Sequence, residues 1–413
     1  MGFHELLECD NPFTPGDGLF PPDLISRHDI LRDFETGLEG DYSKLNMRIS
    51  GPRCSGKTSL LIGLGEVAKK HGWLFISVAG NKPDLLTRIA DEIALPRDIQ
   101  AQVGGSMGTS TSFGGISANG NAGVSMTASY VYISARKRFQ EYLADPSHKG
   151  IVVALDEVQS ASSDDIVDIC NLMQEMRMQR ANVAFIVAGK PGYIRELVNN
   201  GRIDYMRKAR PFTIGLLDDN EVWLSMREQF KVSGIDIDND CLNYLVKKTM
   251  DFPILVQYIG YEAYDRARIH GKQTDGRNEI LSSDCRDIVI NAYKRYKGEV
   301  LSPIIEGATT NELRFLLAMS SGKGEAKTSA IIKESGFDKS LYTFIRASLI
   351  EEGIIDAPRR GYLAFSVPFL PAWLKAHRDD ITTRINDEEA INRWSTASTT
   401  SIDDNDELTD ALI

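Results

Sequence analysis

The chain has 413 residues, enough at ~150 per domain for two or three domains. It is 42% hydrophobic and 25% charged, which excludes collagen-like, mucin-like and wholly disordered classes. No uncharged apolar run reaches the ~18–20 residues that span a bilayer, and the N-terminus has no basic stretch followed by an apolar core. Five dispersed cysteines (Cys9, Cys54, Cys170, Cys241, Cys285) form no CxxC pair, which predicts free thiols in a reducing, cytoplasmic setting. The net charge of −11 is uneven: residues 379–413 carry ten acidic and two basic side chains, whereas 310–378 carry ten basic and seven acidic. The acidic, Ser/Thr-rich tail cannot bury enough apolar surface to offset its ordering entropy, so it reads as mostly disordered.

In chain order, residues 45–49 (LNMRI) read as a short strand ending at Ser50-Gly51. A Gly-rich turn follows, then a helix over 58–70 with Leu60, Leu61, Leu64, Val67 and Ala68 on one face. Residues 73–80 read as a buried strand and 83–95 as a helix. IVVAL, 151–155, is wholly apolar, as strands are in a parallel sheet covered on both faces. A helix over 164–180 and a strand over 182–189 continue the alternation, which predicts a doubly wound α/β domain. From 218 to about 297 the pattern is purely helical, and a loop over 301–309 leads to the last folded unit. Residues 100–135 contain seven glycines and no charge, too long a stretch for a routine loop. The second half, GVSMTASYVYIS, has strand-like content and predicts a protruding hairpin, either a flexible surface insertion or a loop that touches DNA or a partner.

GPRCSGKT, Gly51 to Thr58, fits G-x-x-x-x-G-K-[ST] between a predicted strand and a predicted helix. Glycines let backbone N–H groups turn toward phosphate oxygens, and the helix N-terminus adds unpaired N–H groups and partial positive charge. Gly51, Pro52, Arg53, Cys54, Ser55, Gly56, Lys57, Thr58 and Ser59 are therefore candidate nucleotide contacts. Lys57 supplies a point charge to the β- and γ-phosphates of ATP, and Thr58 offers a hydroxyl to Mg²⁺. IVVALDEVQ puts Asp156 at the carboxyl edge of the sheet, where it can hold Mg²⁺. Glu157 is the candidate general base for the attacking water. Gln159 either orients a nucleophile or caps the next segment.

These motifs, with the later strand VAFIVAGKPG, resemble the ATPase core of the AAA+ and STAND superfamilies. More closely, the chain looks like bacterial and archaeal ATPases related to initiators of the origin-recognition type. Ser26-Arg27 stands where that family has Gly-Arg, and the resemblance implies that Ile25 and Arg27 lie beside the adenine. DFPILVQYIG is similar to the family's G-x-P segment, with Asp251 in place of glycine and Pro253 as the nucleotide-contacting proline. Two departures bear on turnover. Many relatives end the strand after the DE motif in Asn, Ser or Thr, whereas this one ends Ala188-Gly189-Lys190; and no sensor arginine stands out in the lid. Hydrolysis is then expected to be slow or partner-stimulated. In such proteins an arginine finger acting in trans lies near YMRKARPF, which makes Arg207 and Arg210 candidates; the alternative is a solvated basic helix end.

Residues 310–370 read as three helices and a β-hairpin, an order that looks like a winged helix. Leu341, Phe344, Ile345 and Leu349 form the predicted inward face of its third helix. Lys339, Tyr342 and Arg346 are left for solvent or for a DNA groove, with Arg359 and Arg360 at the wing tip. Double-stranded DNA and a partner protein are equally open as targets. IDIDND, 235–240, lacks the Gly and Glu of a calcium loop and reads as a helix cap.

The expected architecture is a P-loop NTPase α/β domain with a doubly wound parallel sheet, followed by a helical lid and a winged helix. The segments are 1–44, an adenine-side box; 45–217, the ATPase core; 218–300, the lid; 308–378, the winged helix; and 379–413, the tail. The expected function is an ATP- and Mg²⁺-dependent switch, an ATPase that binds ATP and ADP and assembles as a homo-oligomer away from membranes. The alternative is an ATP-binding regulatory or adaptor subunit of a defence or mobile-element system with little intrinsic hydrolysis.

Overall fold

A computed structural model describes residues 11–15, 24–94, 121–199, 201, 203–273, 278–322 and 324–387. The chain divides into two compact units, Met1–Tyr293 and Lys294–Ile413.

The first unit opens with helix α1 (His28–Leu38) and is built on five parallel strands: β1 (Met47–Ser50), β2 (Leu74–Ala79), β3 (Ile151–Asp156), β4 (Val183–Gly189) and β5 (Arg210–Thr213). Their spatial order is β2-β3-β4-β1-β5. Alternate side chains of β3 and β4 enter two separate cores. Ile151, Val153, Leu155, Val183, Phe185 and Val187 pack on one face. That face is covered by α3 (Leu85–Ala94), α4 (Asn121–Ala144), α5 (Ser163–Met178) and α6 (Pro191–Asn199). Val152, Ala154, Ala184, Ile186 and Ala188 pack on the other, beneath α1 and α2 (Lys57–Lys70). The three alanines leave room for Leu60, Leu61 and Leu64 of α2 to lie close against the sheet. This is the doubly wound α/β fold expected from the alternating elements.

The hairpin predicted within 100–135 is corrected: residues 121–144 form one helix. The β-branched and aromatic residues there follow a helical period instead, with Val131, Ala135, Phe139 and Leu143 all on the core side. Arg136 Nη1 pairs with Glu175 Oε1 at 2.7 Å, fixing α4 to α5. The remainder of the insertion, 95–120, lies outside the described residues.

A short helix α7 (Asp204–Arg207) precedes β5, and α8 (Asp219–Val232), α9 (Asn239–Thr249) and α10 (Pro253–Gln273) follow it. Asp218 caps α8 by accepting from Glu221 N at 3.1 Å, and Asp238 caps α9 by accepting from Cys241 N at 2.7 Å. The region is not purely helical: Asp236–Ile237 (β6) and Glu279–Ile280 (β7) form a small parallel pair. Nor are all the cysteines free, because Cys241 of α9 and Cys285, the first residue of α11 (Cys285–Tyr296), form a disulfide. A separation of 44 residues carries no sequence signature; the fold brings the two together, and it removes the basis for expecting only reduced thiols.

In the second unit the loop expected over 301–309 is also corrected. A π-helical turn, Lys297–Leu301, runs straight into α12 (Ser302–Gly307). Pro303 suits the first turn of that helix, and Ile304 and Ile305 are buried. Next come α13 (Thr310–Ser320), β8 (Ala326–Lys327), α14 (Thr328–Ser335), α15 (Lys339–Glu351), β9 (Ile355–Asp356), β10 (Tyr362–Phe365) and α16 (Leu370–Ala376). A capping box between Thr309 and Glu312 starts α13. The strands form an antiparallel sheet in the order β8-β10-β9, and β8 is a strand the sequence did not reveal. Residues 378–387 are helical, with Ile381 and Ile385 buried, so the start of the acidic tail is ordered; 388–413 lie outside the described residues. Among the described residues no helix is long and apolar enough to cross a membrane.

Candidate nucleotide site

β1 ends at Ser50, and the loop Gly51–Gly56 carries the chain into α2. Its turn requires left-handed backbone at Cys54 (φ 60°) and Gly56 (φ 85°). Gly56 is the N-cap of α2 and supplies no side-chain cap, so the helix opens on bare backbone N–H groups. The Lys57 ammonium is 6% exposed and donates to the carbonyls of Gly51 and Pro52 at 3.1 and 2.8 Å. Burial pulls its pKa down, while Glu157 first and then Asp156 push it back up. Ser55 Oγ is buried in the loop without a hydrogen-bond partner. A lysine, a ring of N–H donors and an unsatisfied hydroxyl fit an anionic ligand such as a chain of phosphates. Arg53 is exposed, and Pro52 and Ser59 are half-buried at the rim.

Asp156 closes the site from the end of β3. Its Oδ2 accepts from Thr58 Oγ1 at 2.6 Å and its Oδ1 from Glu157 N at 2.9 Å. Burial raises its pKa against these two hydrogen bonds. A hydroxyl and a buried carboxylate in contact are a donor set that suits a hard cation such as Mg²⁺. Glu157 has left-handed backbone (φ 49°) and exposes its carboxylate, which accepts a hydrogen bond from Gln159 Nε2.

The structure gathers the outlying candidates of the first unit on one linker. Ile214 N donates to Ser50 O at 2.8 Å, and the chain then passes through Gly215–Leu217 to the Asp218 cap. Arg27, buried at the start of α1, donates from Nη2 to Gly215 O at 2.8 Å, and its pKa is lowered by that burial. Ser26 Oγ accepts from Asp218 N at 2.9 Å. Leu217 N donates to Asp251 O at 2.8 Å, and Pro253 begins α10 two residues later. Ile25 is buried next to Ser26. Met250 (φ 47°) and Asp251 (φ 60°) are both left-handed, so the backbone at Asp251 has the conformation that glycine adopts most readily.

Arg207 and Arg210 stand elsewhere. Parallel register pairs Arg210 with Met47 and Thr213 with Ser50, so Arg210 lies at the amino edge of the sheet, away from its own phosphate loop. Arg210 is bound to Asp33 of α1 at 2.8 Å and to the face of Phe212. Arg207 makes an exposed i,i+3 pair with Asp204 at 3.0 Å.

In the second unit Lys339 and Arg360 are exposed and Arg346 is half-buried. Arg359 pairs with Glu325 at 2.8 Å and stacks on Tyr362. Tyr342 is corrected: it is 5% exposed, stacks on Phe315 and donates to Thr328 Oγ1 at 3.1 Å. The inward stripe is Tyr342, Ile345 and Leu349, and Phe344, expected inside, is 70% exposed. Ile345 and Leu349 lie inward as expected, but the buried face is centred toward Tyr342 rather than Phe344, which exchanges the two aromatics.

A domain of unknown function, DUF8462, matches residues 299–374, well under half the chain. No curated protein matches. Among solved structures, a Walker-type ATPase of Pyrococcus abyssi is similar at 14% identity and a TM-score of 0.58, over 86% of this chain and 97% of that one. The ORC2 protein of Aeropyrum pernix, in ADPNP–ADP complexes, is similar at 14% identity and a TM-score of 0.58, over 91% of this chain and 98% of that one. Its ADP form gives 14% identity and a TM-score of 0.52, over 90% and 97%. The fold is thus an α/β P-loop NTPase-like fold, similar to those of the Walker-type ATPase and the ORC2 protein. Within that class it is similar to the origin-recognition type.

Proposed function

We propose that this chain is an ATP-driven switch that binds ATP with Mg²⁺ in the first unit and couples the nucleotide to binding of double-stranded DNA through the second. The observation that carries the reading is the convergence of Lys57, the unpartnered Ser55 hydroxyl and the Thr58–Asp156 pair around one bare helix N-terminus. The similar ORC2 structure, solved with adenine nucleotides, supports the choice of ligand.

Gly51 to Ser59 would hold the phosphates, with the Lys57 ammonium turning from the Gly51 and Pro52 carbonyls to the β- and γ-phosphates. Thr58 and Asp156 would hold Mg²⁺, which supplies charge neutralisation on the phosphates when bound. Glu157 takes the proton from the attacking water, its carboxylate exposed beside the loop. Arg27, Leu217 and Asp251 hold the adenine-side box and the start of α10 to one linker, so the lid, α8 to α11, can register what the loop holds. Arg207 is the better finger for a neighbouring copy in a homo-oligomer, because Arg210 is engaged with Asp33.

The second reading, a regulatory subunit with little intrinsic turnover, is favoured by the end of β4, Ala188-Gly189, which carries no hydroxyl or amide side chain to position a water. Steady-state ATPase measurements with and without duplex DNA, on wild type and Glu157→Gln, separate the two. Turnover that Glu157→Gln abolishes while retaining ATP supports the first; tight ATP binding with no turnover under either condition supports the second.

A further inference from the structure

Beyond the groups that hold nucleotide, one side chain bridges the carboxylate of Glu157 and the end of β4. Gln159 Nε2 donates to Glu157 Oε2, and Gln159 Oε1 accepts from Lys190 N at 3.2 Å. The amide cannot be turned around in this position. A backbone N–H only donates, so it requires the amide oxygen, and an ionised carboxylate only accepts, so it requires the amide nitrogen. The neighbouring backbone is equally committed. Glu157 N donates to Asp156 Oδ1 at 2.9 Å, and Ser160 N donates to Glu157 O at 2.8 Å. The charge of the bridged carboxylate acts on Lys57, whose pKa it raises against burial.

The strand end is shaped for this bridge. A Cβ at Gly189 would lie 2.7 Å from Gln159 Oε1 and 2.7 Å from Val158 Cγ1, so any side chain there expels the amide. β4 also touches the loop directly, because Gly51 N donates to Gly189 O at 3.3 Å. One residue pair, Gly189-Lys190, therefore contacts both the root of the phosphate loop and the group that aims Glu157.

We infer that Gln159 is a positioning residue that locks one oxygen of the Glu157 carboxylate and aims the other at the attacking water, using the end of β4 as its anchor. The inference rests on the reading of Glu157 as the base. Bound this way, the carboxylate keeps a single orientation, and a small displacement of the base is costly in rate, ~100-fold for about 1 Å.

The test uses the full chain and four variants: Glu157→Gln, Gln159→Ala, Gln159→Glu and Gly189→Ala. Turnover of ATP with Mg²⁺ is measured with and without duplex DNA, alongside binding of a fluorescent ATP analogue and thermal stability. Gln159→Ala is expected to lower kcat roughly tenfold or more while KM for ATP and analogue binding stay within about twofold. Gly189→Ala should reproduce that split without altering the glutamine, which keeps the question answerable if one variant folds poorly. Gln159→Glu replaces the amide donor with a second carboxylate against Glu157, so kcat should fall at least as far as in Gln159→Ala while analogue binding stays within about twofold. Wild-type kcat in Gln159→Ala, with Glu157→Gln inactive, overturns the role of Gln159 and leaves the base in place. Equal losses of kcat, affinity and stability overturn it too, because they mark a merely structural residue. Wild-type turnover in Glu157→Gln, or no turnover by the wild-type chain in either condition, removes the base and with it the inference.

Discussion

Thr58 Oγ1 donates to Asp156 Oδ2 at 2.6 Å, joining the first turn of α2 to the end of β3 across 98 residues of sequence. The bond draws together two groups whose shared task would be to hold a cation. It also leaves the Asp156 carboxylate partnered but buried, with its pKa pushed up by that burial.

Asp156→Asn should therefore stabilise the ligand-free protein at neutral pH. A raised carboxyl pKa means the folded state keeps its proton longer than the unfolded state, so the penalty develops as pH rises above ~3.8 and is complete above the folded value. Thermal melts should show the variant ahead of wild type by ~2 °C or more at pH 7, with the gap closing toward pH 4. Added Mg²⁺ and ATP should then stabilise wild type much more than the variant. A gap that widens toward pH 4 contradicts the sign.

Lys57→Ala removes the ammonium held by the Gly51 and Pro52 carbonyls. ATP affinity should fall by at least ~100-fold in a fluorescence titration, the loss of a buried charge-assisted contact of ~3 kcal/mol. Because burial lowers the Lys57 pKa, the ligand-free variant should melt no lower than wild type at neutral pH. Wild-type affinity in Lys57→Ala would remove the phosphate-loop assignment.

Arg207 and Arg210 should separate by experiment. Arg207→Ala should cut turnover at least ~10-fold with ATP affinity unchanged, and mixing it with Glu157→Gln subunits should restore part of the activity. Arg210→Ala should instead cost stability, under ~1 kcal/mol because the Asp33 pair is partly exposed. Arg210 holds the Asp33 pKa down, so that contribution is present above ~3.8 and lost as pH falls through the depressed value. No rescue in mixed oligomers shown to have formed counts against Arg207.

If Arg346, Arg359 and Arg360 meet phosphates, duplex DNA binding should weaken steeply with salt, and each arginine removed should lower the log–log slope by ~0.9. Residues 388–413 carry seven acidic and one basic side chain and should compete for the same surface. Deleting 388–413 while keeping the helix at 378–387 should strengthen binding, most at low salt. Absence of binding by both forms at low salt with ATP present makes the second unit a protein-contact module.

The sheet was legible because IVVAL and VAFIVAG carry no polar side chain, as strands covered on both faces do. The phosphate loop was legible because its spacing is local. What escaped notice depends on tertiary partners. Phe344 and Tyr342 exchanged places because several phases of α15 give an apolar stripe, and only the stack on Phe315 selects one. Residues 123–134 read as strand-like from their composition, whereas the packing of Val131, Ala135 and Phe139 obeys a period near four. The bridge through Gln159 needed the backbone N–H of Lys190, which no side-chain pattern reveals.

The Cys241–Cys285 disulfide has a further consequence. It closes a covalent ring around the whole of α10, the helix that Pro253 begins, so that helix cannot drift free even when its packing melts. Closing a loop of this length in the denatured chain is worth about 4 kcal/mol in the chain-entropy account. Oxidised and reduced protein should consequently unfold to states of different girth, and fragments from a cut within the ring should stay joined until thiol is added.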